Sequence, residues 1–317
     1  MKSPRNRTSI LTAALCLLIL TVAARAQETK EEIITRRSPV RLNVLVTDSS
    51  NRTVTDLRNE DFRVLEDGKP QSIIYFSSDE SPISYGILVD SSGSMRTLMN
   101  EIIEAGRNLV GSNKPADEAF VLRFVDADNI EVLQGLTSDK YALGEALDSI
   151  YVEGGLTAVY DAINRSVDYL SKNKRSSTDA PRRLALILIS DGEDRGSRAR
   201  NQDALLNRLR EEEIQFFIIG LTKLSGMQSS REKAANFLTG VAEATGGRAY
   251  FPKSPSEISG IVVEITRDLR AQYVIGYLPT NAARDGTFRK VQVTVAETPE
   301  RKKLNVITRP GYTAPRP

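Results

Sequence analysis

An apolar run that ends in an acid and small hydroxyl residues constrains the fold of this chain most strongly. Residues 84–95 read Ser-Tyr-Gly-Ile-Leu-Val-Asp-Ser-Ser-Gly-Ser-Met. The apolar stretch at residues 87–89 is typical of a strand buried on both faces of a parallel sheet, and amphipathic helical spacing resumes at Leu98. The intervening turn, residues 90–94, is therefore predicted to lie at the carboxyl edge of an open α/β sheet, where such folds bind ligands.

Three polar side chains in this turn are spaced so that they could meet. Asp90, Ser92 and Ser94 alternate in the pattern D-x-S-x-S, which can aim one carboxylate and two hydroxyls at a single point. Oxygen ligands of this kind suit a hard divalent cation. The same residues could instead only begin a helix, because Asp and Ser are preferred N-cap residues.

Two downstream positions favour a shared site over a simple helix cap. Thr157 follows the glycine pair at residues 154–155 and precedes an amphipathic helical pattern. Asp191 ends a second apolar strand, residues 184–189, and is followed by Gly192. Both positions stand at a junction before a predicted helix, as Asp90 does, so the three segments are expected to meet at one sheet edge.

With these residues in place, the chain resembles the von Willebrand factor A domain family and its metal-ion-dependent adhesion site. The family's D-x-S-x-S motif corresponds to Asp90, Ser92 and Ser94, its isolated threonine to Thr157, and its strand-terminal aspartate to Asp191. The resemblance implies a bound divalent cation, Mg²⁺ or alternatively Mn²⁺ or Ca²⁺. It further implies that the three hydroxyls bind the cation directly and that the two aspartates act largely through bound water.

The resemblance extends over roughly residues 82–270 and implies a doubly wound α/β fold. The alternation of strand and helix patterns in this region independently predicts a mainly parallel sheet. Strands at residues 119–124 and 130–133 are too close for a parallel crossover, so we expect them to pair antiparallel. We also predict a helix over residues 95–110 and a charged helix start at Asp191-Gly-Glu-Asp, in which the last two acids serve capping and solvation.

The segments on either side of this region have strand patterns. Residues 40–47 alternate between apolar and polar, and residues 62–66 and 72–76 flank Asp67-Gly68 as a predicted hairpin. Alternation returns after residue 272. Neither segment can bury a core by itself, so we predict that they form one small β-sandwich together. The run Asp61-Phe-Arg-Val-Leu-Glu-Asp-Gly before the domain is similar to a group of bacterial exported proteins related to the same family.

The N-terminus is typical of a secretory signal. Basic residues precede an uncharged stretch at residues 10–24, which ends in Ala24-Arg-Ala. The stretch is shorter than the roughly 20 residues of a membrane-spanning helix, and the position of Cys16 inside it argues against a lipid anchor. Cleavage after Ala26 would remove four of the 43 basic residues, no acid and the only cysteine, which leaves 39 basic and 41 acidic residues and a net charge of −2.

These observations predict the following organisation, given by residue range. We expect a signal peptide at 1–26, a flexible lead-in at 27–37, an N-terminal β segment at 38–80, the A domain at 81–271, and a C-terminal β segment at 272–317 that pairs with 38–80. The near-neutral charge gives no sign of a nucleic-acid partner. No stable membrane span is expected after cleavage, and the oligomeric state stays open.

Composition also narrows the chemistry. The chain has no histidine, which excludes Ser-His-Asp and Cys-His sites and histidine-bound zinc. A phosphatase of the D-x-D-x-T type would need a second aspartate where Ser92 stands. We therefore expect no enzyme but an exported binding protein, periplasmic or on the cell exterior, whose cation captures an Asp or Glu of a partner protein. The alternatives are a metal-stabilised structural envelope protein and, less favoured, a Mg²⁺-dependent hydrolase.

Two loops have open roles. Residues 172–183 form a basic, serine-rich stretch that is interpreted as a solvated insertion, with contact to an acidic partner as the alternative. Residues 222–230 follow a strand at its carboxyl end and could either line the rim of the metal site or form a plain surface connection.

Overall fold

The structure is a computed structural model that describes residues 39–173, 182–198, 200–224, 228–297 and 303–316. The predicted signal peptide and lead-in lie outside these residues, as does most of the basic loop. The strands of the described residues are β1 Val40–Thr47, β2 Phe62–Glu66, β3 Lys69–Gln71, β4 Ile73–Ser77, β5 Ile83–Asp90, β6 Glu118–Phe124, β7 Ile130–Thr137, β8 Arg183–Ser190, β9 Ile214–Gly220, β10 Arg248–Tyr250, β11 Tyr273–Tyr277, β12 Phe288–Val295, β13 Asn305–Ile307 and β14 Gly311–Thr313. The α-helices are α1 Met99–Gly111, α2 Lys140–Asp148, α3 Val159–Asn173, α4 Gln202–Glu211, α5 Gln228–Thr245 and α6 Glu257–Arg270.

A six-stranded sheet with helices on both faces forms the central layer. Its strand order is β10-β9-β8-β5-β6-β7, and all neighbours are parallel except β6 and β7. Apolar side chains of α1, α2 and α6 pack on one face, and those of α3, α4 and α5 pack on the other. The strands at the centre are buried along their whole length, as the continuous apolar runs require. The predicted doubly wound, mainly parallel fold is confirmed.

The point at which the strand order reverses lies beside β5. The chain continues from β5 to β6 on one side, whereas β8, formed later, pairs with β5 on the other side. Ligands of open α/β sheets bind at this kind of switch point, outside the carboxyl ends of the strands. β5 ends at Asp90 and β8 ends at Ser190, so both predicted aspartates reach this edge.

Two four-stranded sheets from the terminal segments form a sandwich. Their orders are β13-β1-β11-β4 and β14-β12-β2-β3, and they enclose one apolar core. Strand β11 lies between β1 and β4, and β12 lies between β14 and β2, so each sheet contains strands from both segments. Across the core, the rings of Phe62 and Tyr273 lie 5.1 Å apart between centroids.

The predicted hairpin between residues 62–66 and 72–76 is wrong. Strand β2 pairs with the three-residue strand β3, whereas β4 crosses to the other sheet and pairs with β11. Pro70 lies in β3, which is an edge strand and can lack one ladder N–H. The chain therefore changes sheet at Ser72, directly after Gln71.

Two predicted helix starts are also wrong. The turn after β5 first forms a 3-10 helix at Gly93–Met95, in which Ser92 O accepts from Met95 N at 3.0 Å, and α1 begins only at Met99. Asp191-Gly-Glu-Asp is loop, and the next helix begins at Gln202 with Asn201 as its N-cap. In both places the polar side chains are occupied in turns before the helix begins.

The sandwich packs against the amino edge of the central sheet, opposite the predicted metal site. Arg183, the first residue of β8, donates to Leu269 O and Gln272 O where α6 leads into the sandwich. These contacts correct the interpretation of residues 172–183 as a solvated loop: Lys172 belongs to α3, and Arg183 is buried. An arginine suits this place because its fork of N–H groups can satisfy the free carbonyls of a helix end.

Candidate functional site

The D-x-S-x-S turn folds around the buried carboxylate of Asp90. Oδ1 of Asp90 accepts from the backbone N–H of Ser92 at 3.0 Å, and the side chain is inaccessible to solvent. Ser92 has extended backbone dihedrals, and its Oγ lies 3.2 Å from Oγ of Ser94. The two hydroxyls therefore lie side by side at the surface end of the turn, above the carboxylate.

Thr157 lies in the loop between α2 and α3, two residues before α3 begins. Its carbonyl accepts from Arg195 N at 2.8 Å and from Gly196 N at 2.9 Å. The next residue, Ala158, donates its N–H to Val125 O at 3.1 Å, beyond the end of β6. The position of Thr157 is thus fixed by loops at the ends of two central strands.

Asp191 follows the last residue of β8 and is buried. Its Oδ1 accepts from Glu193 N at 3.0 Å, a turn that Gly192 permits with its φ of +73°. Ser190 connects the two aspartates: its Oγ donates to Asp90 Oδ2 at 2.7 Å and accepts from Gly192 N at 3.0 Å. Ser190 was not predicted, and its only sequence signal is a hydroxyl at the end of an apolar run directly before an aspartate.

One cleft contains four of the five predicted residues. It has a volume of about 260 Å³, and we name it the carboxyl-edge cleft; its lining residues are Ser92, Gly93, Ser94, Gly155, Leu156, Thr157, Asp191, Glu193 and Arg195. The fifth residue, Asp90, lies below the cleft floor beside Ser92. The structure therefore brings the three hydroxyls and the two carboxylates together at the switch point.

The electrostatics of the cleft favour a cation. Burial, and then the nearby charge of Asp191, raise the pKa of Asp90 to about 7. Within the described ranges no group of three or more His, Cys, Asp and Glu side chains is placed to bind a metal. A cation here would therefore depend on hydroxyl ligands together with the two aspartates. Oxygen donors of both kinds fit a hard divalent cation, whose charge would also offset the repulsion between the carboxylates.

The acids after Asp191 serve the cleft in a way that differs from the expected helix start. Asp194 is buried, and its Oδ2 accepts from Tyr160 N at 3.0 Å, so it caps α3 rather than a helix of its own. Glu193 accepts from Arg195 Nη2 at 2.6 Å and from the hydroxyl of Ser230. The second contact brings the end of the loop at residues 222–230 to the rim, although residues 225–227 lie outside the described part.

The fold and the sequence now identify the family. Residues 86–193 match the family model of the von Willebrand factor type A domain. The chain contains a von Willebrand factor type A domain. Its matched segment begins in β5 and ends just after Asp191, so it includes all five predicted metal-site residues.

Solved structures agree with this assignment at the level of the fold. A von Willebrand factor type A protein from Catenulispora acidiphila shares 13% identity, with a TM-score of 0.50 over 80% of this chain and 72% of that one. BatB from Bacteroides thetaiotaomicron shares 19% identity, with a TM-score of 0.45 over 59% of this chain and 98% of the other. Proximal thread matrix protein 1 from the mussel byssus, with a zinc-occupied adhesion motif, shares 16% identity, with a TM-score of 0.48 over 64% and 49% of the two chains.

The remaining comparisons are brief. No curated protein matches the chain. Among the residues that the structure describes, no helix has both the length and the apolar composition needed to cross a membrane.

Proposed function

We propose that this chain is an exported protein that binds another protein through a divalent cation at the carboxyl-edge cleft. The observation that carries the proposal is the convergence of Ser92, Ser94 and Thr157 on one cleft above the buried carboxylates of Asp90 and Asp191. Mg²⁺ fits this oxygen donor set, with Mn²⁺ and Ca²⁺ as alternatives.

The role of each residue follows from its charge and burial. The hydroxyls of Ser92, Ser94 and Thr157 face the cleft and would bind the cation directly, whereas the deeper aspartates would act largely through water. Neutral ligands offset little of a double positive charge, so the bound cation would attract a carboxylate oxygen at an open position. An Asp or Glu of the partner protein is the group proposed to fill it, which makes the role binding rather than catalysis.

The rim of the cleft offers contacts that a single carboxylate could not. Leu156, next to Thr157, is 59% exposed although it is a large apolar residue. Arg195 is half exposed and is fixed by its bond to Glu193. A partner with an apolar residue beside its acidic residue would therefore bury Leu156 while its carboxylate reaches the cation.

Export is proposed from the N-terminal sequence. Residues 1–26 combine a basic start, an uncharged stretch and Ala24-Arg-Ala, the pattern of a cleaved signal. The protein would then function in the periplasm or on the cell exterior.

The metal site is tested first by titration calorimetry with Mg²⁺ on the purified chain. Binding should raise the melting temperature, because a ligand of the folded state stabilises it by mass action. We expect Ser92→Ala and Thr157→Ala each to weaken binding about tenfold or more, since each removes one of three direct ligands. Thr294→Ala, an exposed threonine of the sandwich, is the matched control and should bind as the wild type does.

Partner binding is tested with the same variants. A partner captured from the envelope fraction should be lost with chelator, regained with Mg²⁺, and lost again in Ser92→Ala and Thr157→Ala chains that remain folded by circular dichroism. Metal binding without any metal-dependent partner would favour the structural alternative. A partner whose affinity is indifferent to chelator and to both substitutions would exclude the proposed mechanism.

A further inference from the structure

A second cavity lies at the opposite edge of the central sheet, between the sandwich and the α/β domain. We name it the interdomain cavity. Arg41 and Asn43 of β1 line it from the sandwich, Gln215 of β9 lines it from the central sheet, and Arg309 lines it from the segment before β14. It has a volume of about 40 Å³, which is room for roughly three water molecules.

Four buried polar atoms of these residues have no hydrogen-bond partner among the described residues. They are two donors, Nη2 of Arg41 and Nε of Arg309, and two acceptors, Oδ1 of Asn43 and Oε1 of Gln215. The Gln215 side chain is only 3% exposed, and its Nε2 donates to Gly246 O at 2.9 Å. Its amide orientation is thereby fixed, and the oxygen is the end that stays unsatisfied.

The charges around the interdomain cavity are predominantly positive. Arg41 has no carboxylate within 4.0 Å among the described residues, and burial lowers its pKa. Arg309 has Glu213 at 3.7 Å, but that carboxylate is 59% exposed. Arg183 lies near Arg41 and donates only to carbonyls; burial, and then the charge of Arg41, lower its pKa to about 10.

The acids at the cavity do not cancel this charge. Glu213 is shared between Arg41 and Arg309, since it also acts on the pKa of Arg41. Glu212 lines the cavity as well, and its Oε2 accepts from Ser171 Oγ at 3.3 Å. A buried guanidinium without a partner is costly, because the charge has lost its water and gained little in return.

A ligand that satisfies all four atoms must accept from two arginines and donate to two amide oxygens. Chloride and sulfate accept only, whereas an oxyanion that keeps a hydrogen does both. We propose that the interdomain cavity binds a small hydrogen-bearing oxyanion of the phosphate class, held by Arg41 and Arg309 and hydrogen-bonded to Asn43 and Gln215. Because these residues come from both structural units, the bound anion also joins the sandwich to the α/β domain.

This site is independent of the proposed metal site. The interdomain cavity lies at the amino edge, and a strand of eight residues such as β5 separates the two edges by roughly 26 Å. Phosphate binding can therefore be measured in the presence of chelator, so that no cation at the carboxyl-edge cleft takes part.

The test compares the melting temperature of the full chain in phosphate, sulfate and chloride at neutral pH, matched ionic strength and with chelator. Phosphate should raise the melting temperature by at least roughly 2 °C over sulfate and chloride, because it is the only one of the three that keeps a hydrogen. Titration calorimetry with inorganic phosphate should give one site per chain.

Arg41→Gln is the decisive variant, since it removes the charge but keeps a polar side chain. It should lose the phosphate increment, while in chloride its melting temperature should equal or exceed that of the wild type, because an unpaired buried charge is gone. Arg63→Gln, an exposed arginine of strand β2, is the matched control and should keep the increment.

Three results would overturn the proposal. One is equal melting temperatures in all three anions, which would mean that only water occupies the cavity. Another is equal stabilisation by sulfate and phosphate, which would be a general effect of oxyanions. The third is an unchanged phosphate increment in Arg41→Gln. If that variant does not fold, the calorimetric stoichiometry of the wild-type chain decides.

Discussion

Asp117 illustrates, at the scale of one residue, how a buried carboxylate joins three parts of this fold. Its Oδ1 accepts from Ile83 N at 3.0 Å, and its Oδ2 accepts from Lys114 N at 2.7 Å and from Arg270 Nη2 at 2.8 Å. The side chain therefore connects the start of β5, the segment before β6 and the last residue of α6.

The hydrogen bonds of Asp117 predict a stability effect with a definite pH dependence. Burial opposes ionisation, but the bonds from Arg270, Lys114 N and Ile83 N outweigh it and hold the pKa of Asp117 below its ordinary value. A carboxylate whose pKa is depressed on folding stabilises the protein above the unfolded pKa of about 3.9, and this contribution is lost as the pH falls through the folded pKa.

We expect Asp117→Asn to lower the free energy of unfolding by about 3 kcal/mol at neutral pH, because Arg270 loses a buried partner. The difference from the wild type should shrink in acid, once the wild-type carboxyl is protonated. Urea unfolding at a series of pH values measures both effects. Asp148→Asn, which removes the exposed pair with Arg107, is the control and should cost less than about 1 kcal/mol. Equal losses for the two variants would contradict the assignment.

Residue types identified part of the site from sequence and missed another part for a physical reason. Asp90, Ser92, Ser94, Thr157 and Asp191 could be selected because motif spacing and strand ends are local features. The partners that position them are not local. Asp194 caps a helix 34 positions earlier in the chain, and a propensity for capping does not say which helix is capped.

At the scale of elements, the loops that end β8 and precede α3 are fastened to each other. Arg195 N and Gly196 N both donate to Thr157 O. A Cβ at Gly196 would lie 1.9 Å from Leu156 O, which is backbone and cannot turn aside. The hydroxyl of Thr157 is therefore positioned only while residue 196 has no side chain.

We expect Gly196→Ala to weaken Mg²⁺ binding roughly tenfold or more, because it separates the two loops that carry Thr157 and Asp191. Far-ultraviolet circular dichroism should stay the same, since residue 196 is in no helix or strand. Gly154→Ala is the matched control: its Cβ would meet nothing within 4 Å, so binding should be retained. Calorimetry on both variants checks this, and equal affinities would show that the contact between the loops has no effect on the metal site.

Element boundaries were predicted well where one period extends over a whole strand and poorly where the chain changes partner. The strands β1 and β5 were identified from their apolar patterns. Strands β3 and β4 follow each other with one residue between them and belong to different sheets. Periodicity alone cannot distinguish that change of sheet from a continuous strand, because side-chain alternation contains no information about the hydrogen-bonding neighbour.

At the scale of the whole molecule, the two proposed sites occupy opposite edges of one sheet. The carboxyl edge carries the five metal-site residues, and the amino edge carries the sandwich. The sequence predicted that the terminal segments pair, because each is too small for its own core. It could not predict the edge on which they pack, since that depends on Arg183 reaching carbonyls more than 80 positions later.

The terminal segments are proposed to form one unit, and their strand order makes the proposal testable. Removing residues 272–317 would take β11 from between β1 and β4 and take β12 from beside β2. The strands of residues 39–78 would then lose their ladder partners and most of the core that includes Tyr273 and Val293.

We expect this deletion to make residues 39–78 at least roughly tenfold more sensitive to protease, because they would open locally at little cost, while the central sheet stays resistant. Limited proteolysis with mass spectrometry of the fragments measures both regions. A shorter deletion of residues 303–317 is the control: it removes the edge strands β13 and β14 but keeps β11 and β12, so the N-terminal strands should remain largely protected. An unchanged digestion pattern of residues 39–78 in the longer deletion would mean that this segment folds without the C-terminal strands.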